Sequence, residues 1–287
     1  MQLQMLLFYT NKKGENMRFF DSHSHLNDEK FNEDRKEIIE KIKENKVEKC
    51  IVAGYSLESS KKAIELFKEE NFIHFVLGIS PNDIPQTMEE LLKEIGEIEE
   101  MVKDLKKEKP NKVVGIGEIG LDYYWEKDEK MKKLQREAFI KQIELANKLK
   151  LPIVIHTRDA MVDTIKILKE NEVKLKGVFH CCPQNMELIK EALNLGFYIS
   201  FAGPITFKNS KNADEIIKMV PIEKLLIETD SPYLAPEPVR GTRNDPSNVR
   251  YIAEKITKVK NMTLEEVSEI TFSNASDLFW DAPKKDH

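Results

Sequence analysis

The sequence is short of cysteine and has no excess of basic residues, and both shortages narrow what the protein can do. Cys50, Cys181 and Cys182 are its three cysteines, and so few thiols build no disulfide framework, which indicates a reducing cytoplasm. None of them stands in a CxxC spacing, so the sequence offers no support for a structural zinc site of that kind. Because the net charge is −5, binding of long duplex nucleic acid by bulk electrostatics is disfavoured, and a phosphate-bearing substrate would need local positive charge.

A long apolar run and a glycine-rich phosphate loop are also missing. No segment has the roughly 20 consecutive apolar residues that cross a bilayer, so we expect no membrane association. Residues 2–9 are apolar, but without a basic flank or a cleavage site we expect no secretory signal, and we predict a cytoplasmic protein. The missing phosphate loop after the first predicted strand disfavours an open, doubly wound sheet.

The sequence does contain short apolar runs that alternate eight times with helix-like stretches. The runs are brief, rich in β-branched residues and nearly continuous, which is typical of parallel strands buried on both faces. They occupy residues 18–22, 49–54, 73–79, 112–117, 152–156, 176–180, 197–201 and 224–228. Eight strand–helix units in a chain of this length predict an α/β protein with the (β/α)8 architecture of a TIM barrel.

The same pattern sets the expected domain boundaries. Residues 17–280 are predicted to form a single barrel domain, with a disordered extension before it at 1–16 and a flexible tail after it at 281–287. Residues 232–248 are rich in proline and asparagine, which predicts a long loop over the barrel mouth. Residues 264–279 predict a final helix that closes the bottom or the side of the barrel.

Residues of the types that bind metal ions occur at the predicted ends of several strands. His23 and His25 are separated by one residue on an extended segment, so both imidazoles point to the same side, into the barrel. Four more ligand-type residues follow later strands: Glu118, His156, His180 and Asp230. Because the carboxyl ends of barrel strands converge on one face, where active sites form, this set predicts a metal centre. His74, near the start of its strand, is interpreted as structural.

Together these residues and their flanking segments resemble the TatD family of metal-dependent deoxyribonucleases, within the amidohydrolase-like barrels. The resemblance runs from Met17 to about Trp280, and the combination of segments is specific although each one alone is weak. The segments are DSHSHLND at 21–28, GEIGLDYYW at 117–125, PIVIHTRDA at 152–160, FHC at 179–181, SFAGPITFKN at 200–209, ETDSPYLAP at 228–236, RGTRNDP at 240–246 and SNASDLF at 273–279.

The resemblance implies a centre of two divalent metal ions per chain, bridged by Glu118. It implies one ion held by His23, His25, Glu118 and Asp230, and a second held by Glu118, His156 and His180. These nitrogen and oxygen ligands suit Zn²⁺, Mn²⁺, Co²⁺ or Fe²⁺, and activation by Mg²⁺ stays open. In this hypothesis Asp230 is the general base and Glu118 is a bridging carboxylate kept ionised by the cations, and these two are the catalytic residues.

The chain departs from the family pattern in two places. After the third strand the family usually has a GxHPH-like segment whose histidines are thought to contact substrate, whereas Ser80 and Asn82 stand at those positions here. This departure leaves the substrate preference open but not the metal site. After His180 the family often continues Cys-Phe-Ser-Gly, whereas this chain has CCPQ at 181–184, which predicts a loop of different shape.

Basic and aromatic residues after the later strands are candidates for substrate binding. Arginine binds phosphate oxygens through paired hydrogen bonds, lysine adds a point charge, and an aromatic ring can stack on a base of a single strand. The candidates are Arg158, Lys208, Arg240, Arg243 and, for stacking, Tyr124 with its neighbours Tyr123 and Trp125.

The favoured function is that of a metal-dependent hydrolase of ester bonds, a DNA phosphodiesterase that acts as an exonuclease on single-stranded or frayed 3′ ends. One alternative keeps the metal and changes the bond, as in an amidohydrolase or lactonase of small molecules. A second is hydrolysis of the ester in mis-acylated transfer RNA, and a third is a metal-bound nucleic-acid-binding module without turnover. The choice between DNA and RNA, the polarity of digestion and the oligomeric state, a monomer included, stay open.

Overall fold

Eight parallel strands form one sheet that curls into a barrel. The computed structural model describes residues 17–281, so the predicted extension at 1–16 and residues 282–287 of the predicted tail lie outside the described residues. The strands are β1 (Phe19–Ser24), β2 (Val47–Gly54), β3 (Ile73–Leu77), β4 (Val113–Asp122), β5 (Ile153–Arg158), β6 (Gly177–Phe179), β7 (Tyr198–Phe201) and β8 (Leu225–Ile227). Each pairs in parallel with the next in chain order, which confirms the predicted TIM barrel. The domain boundaries stay a prediction.

Helices connect the strands and pack against the outside of the sheet. Within the described chain they are α1 (Arg35–Glu44), α2 (Leu57–Phe67), α3 (Met88–Glu108), α4 (Glu129–Leu149), α5 (Met161–Glu170), α6 (Met186–Asn194), α7 (Ala213–Met219), α8 (Val249–Lys260) and α9 (Leu264–Ser276). Ile38, Ile39 and Ile42 are buried on α1, because apolar residues three and four apart share one face. Among residues 17–281 no helix has the length and apolar content needed to cross a membrane.

Hydrogen bonds between β1 and the segment after β8 close the barrel. The backbone N–H of Asp230 donates to the carbonyl of His23 (3.0 Å), and the N–H of His25 donates to the carbonyl of Ser231 (2.7 Å). Deeper in the barrel, the hydroxyl of Ser22 donates to the carbonyl of Ile227 (3.0 Å). The closure therefore brings Asp230 next to the HxH segment, although the two are about 200 positions apart in the sequence.

The lower part of the barrel interior is filled with apolar side chains. Phe20 lies there with inward-facing residues of the other strands, and all of them are buried: Ile51, Ala53, Val76, Val114, Val154, Val178 and Leu226. Phe272 of α9 and Phe279 of the following π-helical turn pack against Phe20, with ring centroids 5.7 and 6.2 Å from it. The predicted final helix therefore closes the bottom, which leaves the opposite, carboxyl-terminal face for a site.

β4 is longer than the sequence pattern indicates. The apolar run ends at residue 117, but the strand continues to Asp122 because its backbone stays paired with β5, with Gly120 opposite His156 and Asp122 opposite Arg158. The register shifts between Ile116 and Ile119. Glu118 thus lies within a strand, at an irregularity, and not just beyond the end of one.

Candidate metal centre

His23 in β1 and His25, one residue beyond the end of this strand, lie with their ring edges together at the carboxyl-terminal face. The Nε2 atoms of His23 and His25 are 3.3 Å apart, and both residues are buried. His25 is held by a hydrogen bond of its Nδ1 with the carbonyl of Ala53, at 3.1 Å. The side-chain Nδ1 of His23 has no hydrogen-bond partner among the described residues. The Nε2 atoms of both rings therefore face a common space inside the barrel.

Glu118 stands between this pair and a second pair of histidines. Its Oε2 lies 3.4 Å from Nε2 of His23 and 3.7 Å from Nε2 of His25. Its Oε1 lies 2.9 Å from Nδ1 of His156 and 3.2 Å from Nε2 of His180. One carboxylate thus presents one oxygen to each pair, which is the arrangement that a bridging ligand requires.

Asp230 completes the side of the centre formed by β1. Its Oδ1 lies 3.4 Å from Nε2 of His25 and 3.9 Å from Nε2 of His23. The backbone φ of Asp230 is 54°, a left-handed conformation in which aspartate is less disfavoured than most residues. The Asp230 side chain is 14% exposed, so the carboxylate lies at the edge of the centre that a substrate can reach.

Carboxylates outside the centre orient the second pair of histidines. Nε2 of His156 lies 3.0 Å from Oδ2 of Asp122, so its Nδ1 faces inward and lies 3.2 Å from Nε2 of His180. Nδ1 of His180 lies 3.4 Å from Oε1 of Glu228, an ion-pair distance, and this carboxylate oxygen accepts a hydrogen bond from the N–H of Cys181 at 2.5 Å. Metal-binding histidines in general have such partners on the ring nitrogen that faces away from the ion.

The donor set fits divalent cations. In each pair, two imidazole nitrogens approach within hydrogen-bond distance of one another and of a carboxylate oxygen. A shared cation would satisfy all of these lone pairs at once. Ligand atoms of His23, His25 and Asp230 lie within 4.8 Å of one another, and so do those of His23, Glu118 and His180. His156 is not in the second group by this measure, although its Nδ1 is close to Glu118 and His180.

The electrostatics of the centre favour an ionised Glu118. Burial by itself would raise the pKa of the Glu118 carboxyl, but the charge of His180 and hydrogen bonds from His156 and His180 outweigh it, so that this pKa lies well below its usual range. Burial has the opposite effect on an imidazole and by itself would lower the pKa of His180. The charges of Glu118 and Glu228 outweigh burial and raise this pKa well above 6.5. His180 therefore holds a proton in the absence of metal, and metal binding has to release it.

Comparison with known proteins identifies the family. The family model described as "TatD related DNase" matches residues 20–280. The chain belongs to the TatD family. The resemblance found in the sequence is thereby confirmed.

The relatives within the TatD family cover nearly the whole chain. A protein of Bacillus subtilis described as the uncharacterized metal-dependent hydrolase YabD is 44% identical over 262 residues, which are 91% of this chain and 98% of the relative. The similarly described YcfH of Escherichia coli is 36% identical, over 92% of this chain and 96% of the relative. MJ1582 of Methanocaldococcus jannaschii is 35% identical, over 92% and 97%. These relatives place the chain among the TatD-type metal-dependent hydrolases.

Solved structures support the fold. YjjV, a TatD homologue of Escherichia coli, superposes with a TM-score of 0.83 at 23% identity, over 92% of this chain and 98% of the other. A TatD family hydrolase of Entamoeba histolytica has a TM-score of 0.77 at 24% identity, over 93% and 99%. At these identities the likeness concerns the architecture of the barrel.

The six residues predicted from the sequence as metal ligands lie together in this TatD-family barrel, and their binding of metal stays a prediction. Sequence reasoning missed Asp122 and Glu228, which contact His156 and His180 from outside the centre. A signal was present in both cases. Asp122 lies in the GLDYYW part of a segment that resembles the family, and Glu228 opens the ETDSPYLAP segment at the end of β8.

The residues predicted to bind substrate lie around the mouth but differ in what they contact. The guanidinium of Arg158 lies over the ring of Tyr124, 3.7 Å from its centroid, and the guanidinium of Arg240 lies 4.0 Å from the ring centroid of Phe207. Lys208 is exposed. Arg243 forms an ion pair with Asp34 and donates to the carbonyl of Lys30, so its guanidinium already anchors the loop after β8.

The two positions where family histidines are expected carry hydrogen bonds within the protein. The hydroxyl of Ser80 donates to Oδ2 of Asp83 at 2.6 Å. The side-chain amide of Asn82 donates to Oδ2 of Asp122 at 3.2 Å. Asn82 is therefore one contact away from the ring of His156.

Proposed function

We propose that this TatD-family chain is a DNA phosphodiesterase with two divalent metal ions, acting as an exonuclease on single-stranded or frayed 3′ ends. The position of Glu118 carries the proposal, since its two oxygens face two separate pairs of imidazoles. A carboxylate shared between two cations is the arrangement expected of a binuclear hydrolase. The TatD DNase family match supports DNA as the substrate.

The residues that would hold the ions divide between the two sides of Glu118. His23, His25 and Asp230 lie on the side of Oε2, and His156 and His180 lie on the side of Oε1. Bound divalent ions supply positive charge for a phosphodiester and acidify a water molecule. The two carboxylates bring two negative charges against four positive ones, so the mouth becomes locally cationic on a protein whose net charge is −5.

Asp230 is the residue placed to accept the proton of the attacking water. Burial would raise the pKa of its carboxyl, but the hydrogen bond and the charge of His25 outweigh burial and lower it. The carboxylate is therefore ionised at neutral pH, with its exposed edge toward the mouth. In the proposed reaction Asp230 takes one proton from water while the water oxygen attacks phosphorus. The bond between phosphorus and the 3′-oxygen of the preceding nucleotide breaks, and that oxygen takes up a proton from solvent and leaves as a 3′-hydroxyl.

Residues around the mouth would position the nucleic acid. Arg158 is the last residue of β5, two positions after His156, and is exposed. Tyr124 and Trp125 are 43% and 67% exposed, and Arg158 packs on Tyr124. A base of a single strand can stack on such an exposed ring while its phosphate meets the guanidinium or Lys208. Arg240 and Arg243 are exposed on the loop after β8 and would act at the rim.

A nuclease assay with end-labelled oligonucleotides tests the proposal. The protein is stripped of metal with a chelator and restored with Zn²⁺, Mn²⁺, Co²⁺, Fe²⁺ or Mg²⁺, one at a time. A 3′ label should be released at once as a mononucleotide, a 5′ label should yield a ladder, and blunt duplexes should be cut more slowly than single strands. Glu118→Gln should abolish cleavage, while His74→Asn, at the opposite end of the barrel, should retain it.

The rival functions give different results in the same series. Binding of oligonucleotides with every metal, but no nucleotide release, would contradict the phosphodiesterase and favour a binding module. If the protein hydrolyses a lactone, an amide or a mis-acylated transfer RNA but leaves DNA intact, the attacked atom is a carbonyl carbon and not phosphorus. That result would favour the amidohydrolase, lactonase or ester-hydrolase alternatives.

A further inference from the structure

Asp122 joins a proposed metal ligand to the aromatic loop at the mouth. This residue ends β4 and is 1% exposed. Its Oδ2 accepts hydrogen bonds from Nε2 of His156 (3.0 Å) and from the side-chain amide of Asn82 (3.2 Å). Its Oδ1 accepts from the backbone N–H groups of Tyr124 (3.0 Å) and Trp125 (3.1 Å). One buried carboxylate thus makes four hydrogen bonds in two directions.

The backbone of Asp122 is fixed as firmly as its side chain. Its N–H donates to Oε1 of Gln135 on α4 at 3.0 Å. The amide nitrogen of Gln135 donates to the carbonyl of Asp122 at 3.3 Å and to that of Pro81 at 3.0 Å. The carboxylate therefore has little freedom to move away from His156.

The contact with Asp122 decides which ring nitrogen of His156 carries the proton. An ionised carboxylate only accepts hydrogen bonds, so Nε2 of His156 is the protonated nitrogen. In the neutral ring Nδ1 then keeps its lone pair, and Nδ1 is the atom that faces Oε1 of Glu118 at 2.9 Å. This is the tautomer that a metal ion at Nδ1 requires.

We propose that Asp122 is a positioning residue, which holds His156 in the ring orientation and tautomer that bind the second metal ion, with Asn82 bracing the carboxylate. The inference rests on the metal centre of the proposed function and deepens it. Asp122 contacts both the metal ligand His156 and the backbone of Tyr124 and Trp125. One residue therefore positions the metal centre and the exposed rings that are proposed to stack on a base.

Replacement of Asp122 by asparagine separates the two roles of the carboxylate. An amide has a single acceptor oxygen, and if that oxygen stays with the N–H groups of Tyr124 and Trp125, its NH₂ group faces Nε2 of His156. The NH₂ group favours an unprotonated Nε2 and so moves the ring proton to Nδ1, where it blocks the metal. We therefore expect Asp122→Asn to keep the loop and weaken one of two metal-binding steps by about 10- to 100-fold.

The test is a Zn²⁺ titration of the chelated full-length protein in competition with a chromophoric chelator. The variants are Asp122→Asn, Asn82→Ala and the control Asp83→Asn. Asp83 lies one position from Asn82 and accepts a hydrogen bond from Ser80, but within residues 17–281 it forms no hydrogen bond or ion pair with His156. The control removes a carboxylate from the same rim whose charge acts on Glu118 and His25 but which does not hold the ring of His156. Unlike Asp122→Asn, it should therefore not selectively weaken one of the two binding steps. Asn82→Ala should weaken the same step as Asp122→Asn, by a smaller factor.

A second measurement reads the tautomer directly. Asp122 and Glu118 outweigh burial and raise the pKa of His156 in the metal-free protein, so the spectra are recorded in a pH series that extends above this pKa, where the ring is neutral. Nitrogen-15 NMR of histidine-labelled, metal-free protein should then show the neutral His156 ring protonated at Nε2 in the wild type and shifted toward Nδ1 protonation in Asp122→Asn, with the assignment taken from His156→Ala. Unchanged thermal unfolding of the metal-free variant shows that the fold is intact. A merely structural role of Asp122 would not change the tautomer of a folded protein.

Three outcomes would overturn the inference. The inference is wrong if the Asp122→Asn variant binds both ions with wild-type affinity. It is also wrong if the variant weakens both metal-binding steps equally. If the wild-type protein takes up fewer than two ions, the proposed binuclear centre is wrong as well. Failure of the DNA assay with two ions bound would instead overturn only the proposed substrate, so the two failures are distinguishable.

Discussion

Glu118 and Asp230 are both close to histidines, yet they differ in what they can do. The Glu118 side chain is 10% exposed against 14% for Asp230, and the two oxygens of Glu118 are directed at four imidazoles, so its lone pairs are committed to the centre. Asp230 faces His23 and His25 through one oxygen and keeps an exposed edge. A ligand with remaining exposure is better placed to exchange a proton with a bound water, which is why the base is assigned to Asp230.

His156→Ala and His180→Ala should each lose one metal ion and the activity together. Each change removes a nitrogen within 3.2 Å of Oε1 of Glu118 and leaves the β1 side intact. Elemental analysis of dialysed protein, alongside turnover of a labelled oligonucleotide, measures both. His74→Asn is the matched histidine control, and full activity in both centre variants would show that this side of Glu118 is dispensable.

Asp230→Asn should retain much of the metal but lower turnover by about 10²-fold or more, the usual size of a general-base contribution. The amide keeps an oxygen toward His25 but cannot accept the proton of the water. Metal content and kcat are measured on the same preparation. Turnover close to that of the wild type would reject Asp230 as the base.

His74, at the bottom of the barrel, should make the stability depend on pH. Burial lowers its pKa to about 4, while its Nδ1 donates to the carbonyl of Asn111 at 2.9 Å. Because the folded pKa lies below the unfolded value near 6.5, the unfolded chain binds the proton first, and stability is lost as pH falls from about 6.5 to about 4. The loss is up to about 3 kcal/mol.

His74→Asn should remove this part of the acid sensitivity. The asparagine amide can replace Nδ1 as the donor to Asn111 but does not titrate. Urea unfolding at pH 7 and pH 4.5, in metal-free protein, gives the difference in the free energy of unfolding for each form. An equal loss on acidification in both forms would contradict the assignment.

At the scale of elements, α9 determines how well the barrel bottom is closed. Its N-cap Thr263 accepts a hydrogen bond from the N–H of Glu266, whose carboxylate accepts from the N–H of Thr263, a capping box that satisfies two free donors. Phe272 on the same helix packs on Phe20 inside the barrel. The cap is therefore coupled to the internal core.

Thr263→Ala should destabilise the protein by about 1 kcal/mol, within the usual range for loss of a cap. Chemical unfolding measures the change, and Thr263→Ser is the control because it keeps the hydroxyl. Metal content and activity should not change, since the centre lies at the other end of the barrel. A loss as large in Thr263→Ser as in Thr263→Ala would argue against the capping bond.

At the scale of the whole molecule, the proposed centre connects five parts of the barrel. Its ligands come from β1 and the residue that follows it, from β4 and β5, and from the segments after β6 and β8. These parts come together only in the folded chain, so ions bind the native state in preference to the unfolded one. Metal binding should accordingly stabilise the entire fold.

Removal of metal with a chelator should lower Tm, and restoration should reverse the change. At a free ion concentration 100 times Kd, one site contributes about 2.7 kcal/mol, which is roughly 5–10 °C for a domain of this size. Differential scanning calorimetry of the chelated and the Zn²⁺-loaded protein measures it. A Glu118→Gln variant should show a smaller shift, and a wild-type Tm that is indifferent to metal would contradict the centre.

Much of the fold and of the centre could be predicted because the relevant signals are local. Each strand is a short apolar run beside a helical repeat, and each proposed ligand stands near the end of such a run, as His180 does after β6. Ligand chemistry is likewise a property of the side chain itself. For β4 the local signal failed, since the apolar run stops before the backbone pairing with β5 does.

The sequence by itself determined the eight strand–helix units, the family and the residue types available for metal. The tertiary structure alone decided which oxygen of Glu118 faces which histidine pair, that Asp122 holds His156, and that Arg243 is engaged with Asp34. The physical reason is that these contacts join residues far apart in the chain. Closure of the barrel sets their distances, and no pattern of near neighbours contains that information.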